Sequence, residues 1–521
     1  MSSTRKKSES SLKEKTGVIV FARVMTTLID LALAISVVRI LSKTDFAIMG
    51  YVLMVHEIAR NIAVLGFPDS IFYYFERVAK GARRGLVGQT VGILFITSLV
   101  AALLILLLNT ALPTLLTQWP QRSIAVLQEF LPLLALVSIL EIPTWPTTNI
   151  LLASDRQKLA AWYEMGTSIM AFMALVIPLL IGFGLSVAIW SLVGYALIRF
   201  VGSFVLLWNI LPSKGFLEDD GKGEGQAELL DRITLRDQSR FSIPLGLSAL
   251  VGRFNKYIDK FIVSIFLANT AYAEYNVAAN EVPIIKVIPL AVGSVLISRY
   301  VQYQLQEKKE ELLSLWYKGV EKVSLLVIPL TILFTLLAPD LIRLLFETDQ
   351  TSYANSVLPF QLYNLIVLIR VTHYGSILQA FGDTKGVLYF SINLLVANLL
   401  LSIPLTIYFG IVGTAAGTLI ANLYNWLLLL GRIGRHMKLP FWKVLPFPFY
   451  GKVLLLSTLL AAPMIYLKNV WLTGFDALPI ILLIGTLFLL SYLWLAKRLK
   501  LICDEDWGSF TSWIGLSFLR S

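Results

Sequence analysis

Residues 86–108 read LVGQTVGILFITSLVAALLILLL, twenty-three positions without one Asp, Glu, Lys or Arg. As a helix rising 1.5 Å per residue this run is about 34 Å long, enough to cross a hydrocarbon core of about 30 Å. It shows no period-two alternation, which argues against a barrel strand. Working outward, runs of similar size lie between polar breaks at 17–41, 45–75, 124–153, 159–182, 185–211, 241–267 and 272–300. They continue at 312–338, 354–380, 386–409, 413–435, 445–467 and 475–496. The reading is an all-α, polytopic membrane protein of about fourteen transmembrane helices.

Composition excludes the other classes. The chain is 57% hydrophobic and 15% charged, with a mean hydropathy of +0.74, whereas soluble chains are about 25% charged. The net charge of +11 sits in short loops between apolar runs, a membrane-orientation pattern rather than a nucleic-acid face. A single cysteine, Cys503, leaves no intramolecular disulfide. His56, His373 and His436 are far apart and lack ligand spacing, so no metal site or cofactor is expected. The first run is interrupted by Arg23 and Asp30 and is too long for a signal-peptide core.

Lys and Arg placement sets the orientation. With the N-terminus inside, the inner segments hold Arg5, Lys6, Lys7, Lys13 and Lys15, then Arg77, Lys80, Arg83 and Arg84, and later Arg432, Arg435, Lys438, Lys443, Lys497, Arg498 and Lys500. The outer segments hold only Lys43, Arg122, Arg343 and Lys468. Both termini are therefore expected in the cytoplasm, with the chain in the cytoplasmic (inner) membrane. The domain boundaries follow: a basic tail at 1–16, an N-lobe at 17–212, a Gly- and acid-rich linker at 213–240, a C-lobe at 241–438, a helix pair at 439–500 and an interfacial tail at 501–521.

The two lobes resemble each other. Leu41–Ala47 after span one corresponds to Leu267–Ala273 after span seven at an offset of 226. Leu152–Lys158 before span five corresponds to Gln379–Lys385 before span eleven at 227, and Phe183-Gly184-Leu185 to Phe409-Gly410-Ile411 at 226. Three matches in order imply two parallel six-helix repeats with an appended pair.

Ionisable side chains at membrane depth are costly and usually face an internal cavity. Span one carries Arg23 and Asp30, and span two His56, Glu57 and Arg60. Span four carries Glu141, span six Arg199, span seven Arg253, Lys256, Asp259 and Lys260, span eight Glu274, Glu281 and Lys286, and span ten Arg370 and His373. Spans one, two, seven and eight are repeat equivalents, so they are expected to line one cavity. Its basic members (Arg23, Arg60, Arg199, Arg253, Lys256, Lys260, Lys286 and Arg370) outnumber the acids, which suits a hydrated cavity that attracts an anion such as a diphosphate. Asp30, Glu57, Glu141, Asp259 and Glu281 are candidates for ion coupling, or for charge pairing as in Arg23–Asp30, Arg60–Glu57 and Lys260–Asp259. Pro143 and Pro146 in span four, and Pro283 and Pro289 in span eight, predict kinks. Tyr73, Tyr74, Trp119, Trp442, Trp471 and Trp494 near span ends read as interface belts.

Three stretches resemble a known family, one of them Asp259-Lys260 with Leu267 to Tyr275, similar to its seventh-to-eighth helix segment. Leu41-Ser42-Lys43-Thr44-Asp45-Phe46-Ala47-Ile48-Met49-Gly50-Tyr51 and Leu65-Gly66-Phe67-Pro68-Asp69-Ser70-Ile71-Phe72-Tyr73-Tyr74-Phe75 are similar to signatures of the polysaccharide-exporter branch, the O-antigen-type flippases, of the multidrug/oligosaccharidyl-lipid/polysaccharide exporter superfamily. Ala47 and Tyr73 depart from the glycine and arginine usual there. The resemblance implies two lobes arranged as a V, and no enzymatic activity. It also implies export of an isoprenyl-diphosphate-linked oligosaccharide, a polysaccharide precursor, to the outer leaflet by alternating access. By likeness to the related lipid II flippases, it further implies diphosphate contacts from Arg23, Arg60 and Arg253. A coupling ion (H⁺ or Na⁺) and a partnership with a polymerase or glycosyltransferases belong to the same implication. The alternative is a cation-coupled multidrug antiporter of the same superfamily, for which an acidic, aromatic cavity and twelve helices are expected.

Overall fold

The computed structural model describes residues 2–211, 233–279 and 283–502. Among the described residues the chain forms eighteen α-helices, α1 to α18, and no strand. They divide into two compact units, residues 1–257 with 264–273, and residues 258–263 with 274–521.

The first unit contains α1 (Ser2–Ile40), α2 (Lys43–Val64), α3 (Phe67–Tyr74), α4 (Arg83–Leu115), α5 (Gln121–Glu141), α6 (Thr147–Ala153), α7 (Gln157–Leu180) and α8 (Gly184–Ile210). Most of α9 (Leu235–Phe266) belongs with them. Ser42 caps α2, its Oγ accepting the Asp45 N–H at 3.1 Å, which supplies a partner for one of the orphan donors of a helix start. Span two is not continuous as expected. Leu65 (φ 40°) and Gly66 (φ +75°) adopt left-handed conformations and split it into α2 and α3. The break lets α9 come close: a Cβ on Gly246 would lie 2.6 Å from the Gly66 nitrogen and closer still to the Leu65 carbonyl group. Span four is broken where its prolines predict, α5 giving way to a 3₁₀ turn at Ile142–Thr144 and then to α6.

The second unit contains the second half of α10 (Asn269–Ala278), then α11 (Pro283–Leu305), α12 (Lys309–Leu336), α13 (Ala338–Phe346), α14 (Val357–Ile369), α15 (Tyr374–Ala380), α16 (Thr384–Met437), α17 (Phe447–Trp471) and α18 (Ala477–Arg498). Pro289 lies inside α11 and Pro283 at its start. The long α16 bends at Gly410 (φ +60°), the boundary expected between spans eleven and twelve. The apolar core of this unit gathers Trp316, Tyr300, Tyr374, Leu430 and Val453 from α11, α12, α15, α16 and α17.

Local geometry repeats at the offset read from sequence. The first break ends α1 at Ile40 and starts α2 at Lys43, and the matching break ends α9 at Phe266 and starts α10 at Asn269. Asp155 (φ 57°) and Gly382 (φ +73°) take the same left-handed turn 227 residues apart, with equivalent closing bonds, Arg156 N–H to Leu151 O and Asp383 N–H to Leu378 O. Gly184 (φ +78°) and Gly410 (φ +60°) form a third pair.

Eleven helical stretches among the described residues are long and apolar enough to cross a membrane. The sequence expectation is larger because Lys385–Met437 enters as one stretch, because α9 carries charges that lower its hydropathy, and because the run at 272–300 is divided between the short α10 and α11, with 280–282 outside the described residues. Trp119 is no belt residue. It is 3% exposed and packs edge-on to Tyr51 at 5.6 Å, with Tyr272 at the same distance. Trp442, Trp471 and Trp494 are exposed, as an interface belt requires.

Candidate functional site

In the first unit the break after α5 collects charges from three helices. Glu141, at the end of α5, is buried and accepts Arg199 Nη1 of α8 at 2.7 Å. His56 of α2 bridges Glu141 (3.0 Å) and Ser138 Oγ (3.1 Å). A carboxylate only accepts, so the His56 nitrogen facing Glu141 carries a proton. Arg199 also donates to Tyr195 OH at 2.9 Å. Arg60 pairs with Glu57 one turn away, and its guanidinium lies 4.0 Å from the Trp145 ring centroid. Tyr257 of α9 donates to Glu57 (3.3 Å), and Arg253 Nη1 donates to Asn61 Oδ1 at 2.7 Å. Thus α2, α5, α8 and α9 contribute three hydrogen-bonded sets, His56–Glu141–Arg199, Arg60–Glu57–Tyr257 and Arg253–Asn61, and the Trp145 ring lies against the arginines of the first two.

Arg23 and Asp30 are both exposed on α1, and Asp30 lies within electrostatic reach of Glu57, Glu164 and Lys256. The expected Arg60–Glu57 pair is formed. In the second unit, buried Asp259 accepts from Tyr363 OH and Asn398 Nδ2, both at 2.6 Å. Its neighbour Lys260 donates to Asn276, and Arg370 donates to Asn422 at 3.2 Å. Lys286 lies on α11, but its side chain, like the whole of Glu281, is outside the described residues, as are 212–232 and 503–521.

Reading the charges alone missed Trp145, Asn61, Tyr257, Tyr195, Tyr363, Asn276, Asn398 and Asn422. Their signal was an amide or ring inside an apolar run, which costs several kcal/mol (about 2–7) unless it finds a partner. Asparagines do here what carboxylates were expected to do: they orient cations while carrying no charge.

Away from this group, Asp383 precedes α16. It accepts the Gly386 N–H (3.0 Å), Arg432 Nε (2.7 Å) and His436 Nε2 (2.8 Å). The Arg432 hydrogen bond, against the opposing effect of burial and with help from His436 and Gly386, holds this carboxyl well below its ordinary 3.8. Because the folded value is the lower one, the stabilisation is complete above about pH 4 and is lost as pH falls through the folded value. Thermal unfolding from pH 6 to pH 2 is expected to show wild type weakening below about pH 4. Asp383→Asn should be less stable at pH 7 and flatter across the acid range; matching profiles would refute the assignment.

Comparison with known proteins places the chain. The family model described as "Polysaccharide biosynthesis protein" matches residues 12–304, and that described as "Lipid II flippase MurJ" matches 225–484. A curated relative, "Probable low-salt glycan biosynthesis flippase Agl15" of Haloferax volcanii, is 25% identical over 199 residues, 37% of this chain. The match spans only 40% of that relative's length. The fold is similar to a solved structure of "Lipid II flippase MurJ, inward closed conformation", with a TM-score of 0.69 and 14% identity over 93% of this chain and 99% of that one. An inward-facing multidrug resistance MATE family transporter of the MOP superfamily gives a TM-score of 0.60 and 16% identity, over 79% of this chain and 95% of that one. The first model covers more than half of the sequence, and the chain is a multi-pass membrane protein that belongs to the polysaccharide biosynthesis protein family.

Proposed function

We propose that this chain is a flippase for an isoprenyl-diphosphate-linked oligosaccharide, moving it from the cytoplasmic to the outer leaflet by alternating access, and is not an enzyme. The observation that carries the reading is the set of arginines at membrane depth. Arg253 is oriented by the neutral amide of Asn61, and Arg60 and Arg199 flank one aromatic ring. Planar guanidinium forks match the oxygens of a diphosphate and are always charged. Family membership and the name of the haloarchaeal relative support the substrate class.

The proposal includes a division into lobes 17–212 and 241–438, with a linker at 213–240, a helix pair at 439–500 and cytoplasmic tails at 1–16 and 501–521, in an inner membrane. It also includes a coupling proton or sodium ion, with Asp30, Glu57, Glu141, Asp259 and Glu281 as candidate carriers, and polymerase or glycosyltransferase partners. In proteoliposomes loaded with the lipid-linked precursor, Arg60→Ala with Arg253→Ala is expected to cut translocation at least about 100-fold, as for loss of two charge-assisted contacts. An unchanged rate would refute the site. Proton- or sodium-dependent export of cationic dyes by the wild type, without precursor translocation, would replace the reading with multidrug antiport.

A further inference from the structure

The helix break after α5 points one aromatic side chain into the charged group. Trp145 sits between the 3₁₀ turn Ile142–Thr144 and Pro146, where neither α5 nor α6 fixes the chain into a regular register. Two guanidinium groups lie over its ring, Arg60 at 4.0 Å and Arg199 at 5.6 Å from the centroid. The remaining contacts of these arginines are uneven. Arg60 is tied to Glu57 through Nη2, and Arg199 to Glu141 and Tyr195 through Nη1. The Nε–H of each is buried and meets no acceptor.

A buried donor with no acceptor costs on the order of 1–3 kcal/mol, more when it belongs to a charged group. Here two such donors occur beside one ring. The indole face attracts each cation through its quadrupole, yet it offers no lone pair to an N–H. The ring therefore holds the two guanidinium groups near it while leaving their Nε–H donors unspent. An arrangement of this kind lacks acceptor oxygens, at least two, carrying negative charge. A phosphoryl group has that chemistry.

We propose that Trp145 is a positioning residue that holds Arg60 and Arg199 ready for the phosphoryl oxygens of the transported lipid. This rests on the flippase reading and deepens it. Glu57 and Glu141 hold one nitrogen of each guanidinium, and the indole ring lies against both cations. Lysine at position 60 would keep the charge but would have neither a planar fork nor an Nε–H donor beside the ring.

The test is translocation of the isoprenyl-diphosphate-linked oligosaccharide in proteoliposomes, with KM and maximal rate measured separately and the unfolding temperature recorded for each variant. Trp145→Ala is expected to raise KM roughly ten-fold, as for loss of a desolvated cation–π contact, with the maximal rate within about two-fold. Trp145→Phe, which keeps an aromatic face, should recover most of the lost affinity. Arg60→Lys should raise KM to a similar degree, and the double variant Trp145→Ala with Arg60→Lys should be no worse than the poorer single one, because both remove the same arrangement. An unchanged KM in Trp145→Ala overturns the proposal, as does failure of Trp145→Phe to recover, or additive effects in the double variant. If wild type does not move this lipid at all, the flippase reading itself fails, whatever Trp145 variants do.

Discussion

Glu141→Ala is expected to destabilise the purified protein by about 3–5 kcal/mol, the usual cost of removing one partner of a buried ion pair. The carboxylate is the acceptor for Arg199 at 2.7 Å and for His56 at 3.0 Å, and both Glu141 and Arg199 side chains are about nine-tenths buried. Without it, Arg199 keeps only the Tyr195 hydroxyl and the distant Trp145 face to offset a cation that cannot deprotonate. The damage comes from that stranded charge more than from the lost bond. Glu141→Ala combined with Arg199→Met should consequently be more stable than Glu141→Ala alone, with a coupling on the order of 0.5–3 kcal/mol. Thermal unfolding in detergent measures both. A Glu141→Ala protein that melts with wild type would show that water reaches Arg199 freely.

The second large effect is at Gly246. A Cβ there would overlap the backbone at Leu65 and Gly66, and neither side of the contact is a side chain that can swing away. Gly246→Ala must push α9 from the α2–α3 break, at a cost of about 1–3 kcal/mol for overpacking, and Gly246→Val more. The displacement would propagate to a polar lock nearby. Gln238 of α9 is fully buried, donates to Ser70 Oγ (3.0 Å) and Thr90 Oγ1 (2.7 Å), and accepts from Gln89 (2.8 Å). Tyr74 OH donates to the Asp237 carbonyl at 3.1 Å, and Tyr73 stacks on Phe241 at 4.4 Å. Maleimide labelling of Gln238→Cys, slow in the wild-type background, should accelerate when Gly246→Ala is added. Gly88→Ala is the control, since nothing lies within 4 Å of its would-be Cβ, and an alanine inside a helix should be neutral or mildly stabilising. Equal labelling in both backgrounds would mean that the lock does not depend on this contact.

Different parts of this molecule were legible in sequence to different degrees. The apolar runs, the prolines of span four and the bend at Gly410 could be read directly, because each rests on a local rule. The break at Leu65–Gly66 could not, since Leu in a left-handed conformation is rare and its cause lies about 180 positions away, where Gly246 passes. Charged residues announced themselves singly, but which ones meet depends on tertiary packing. Nothing between His56 and Glu141, or Glu141 and Arg199, marks them as neighbours in the chain. Trp119 read as an interface residue because Trp is common there; its burial against Tyr51 and Tyr272 arises from helices that only folding brings together.

The left-handed turn at Asp155 and its counterpart at Gly382 are spelled differently yet shaped alike. The first copy uses a residue that tolerates that conformation at some cost; the second uses the one to which it is nearly free. The same backbone turn is formed by two different sequences, so the two segments are candidates for exchange. A chimera carrying 379–385 in place of 152–158 would insert a pre-shaped corner between α6 and α7.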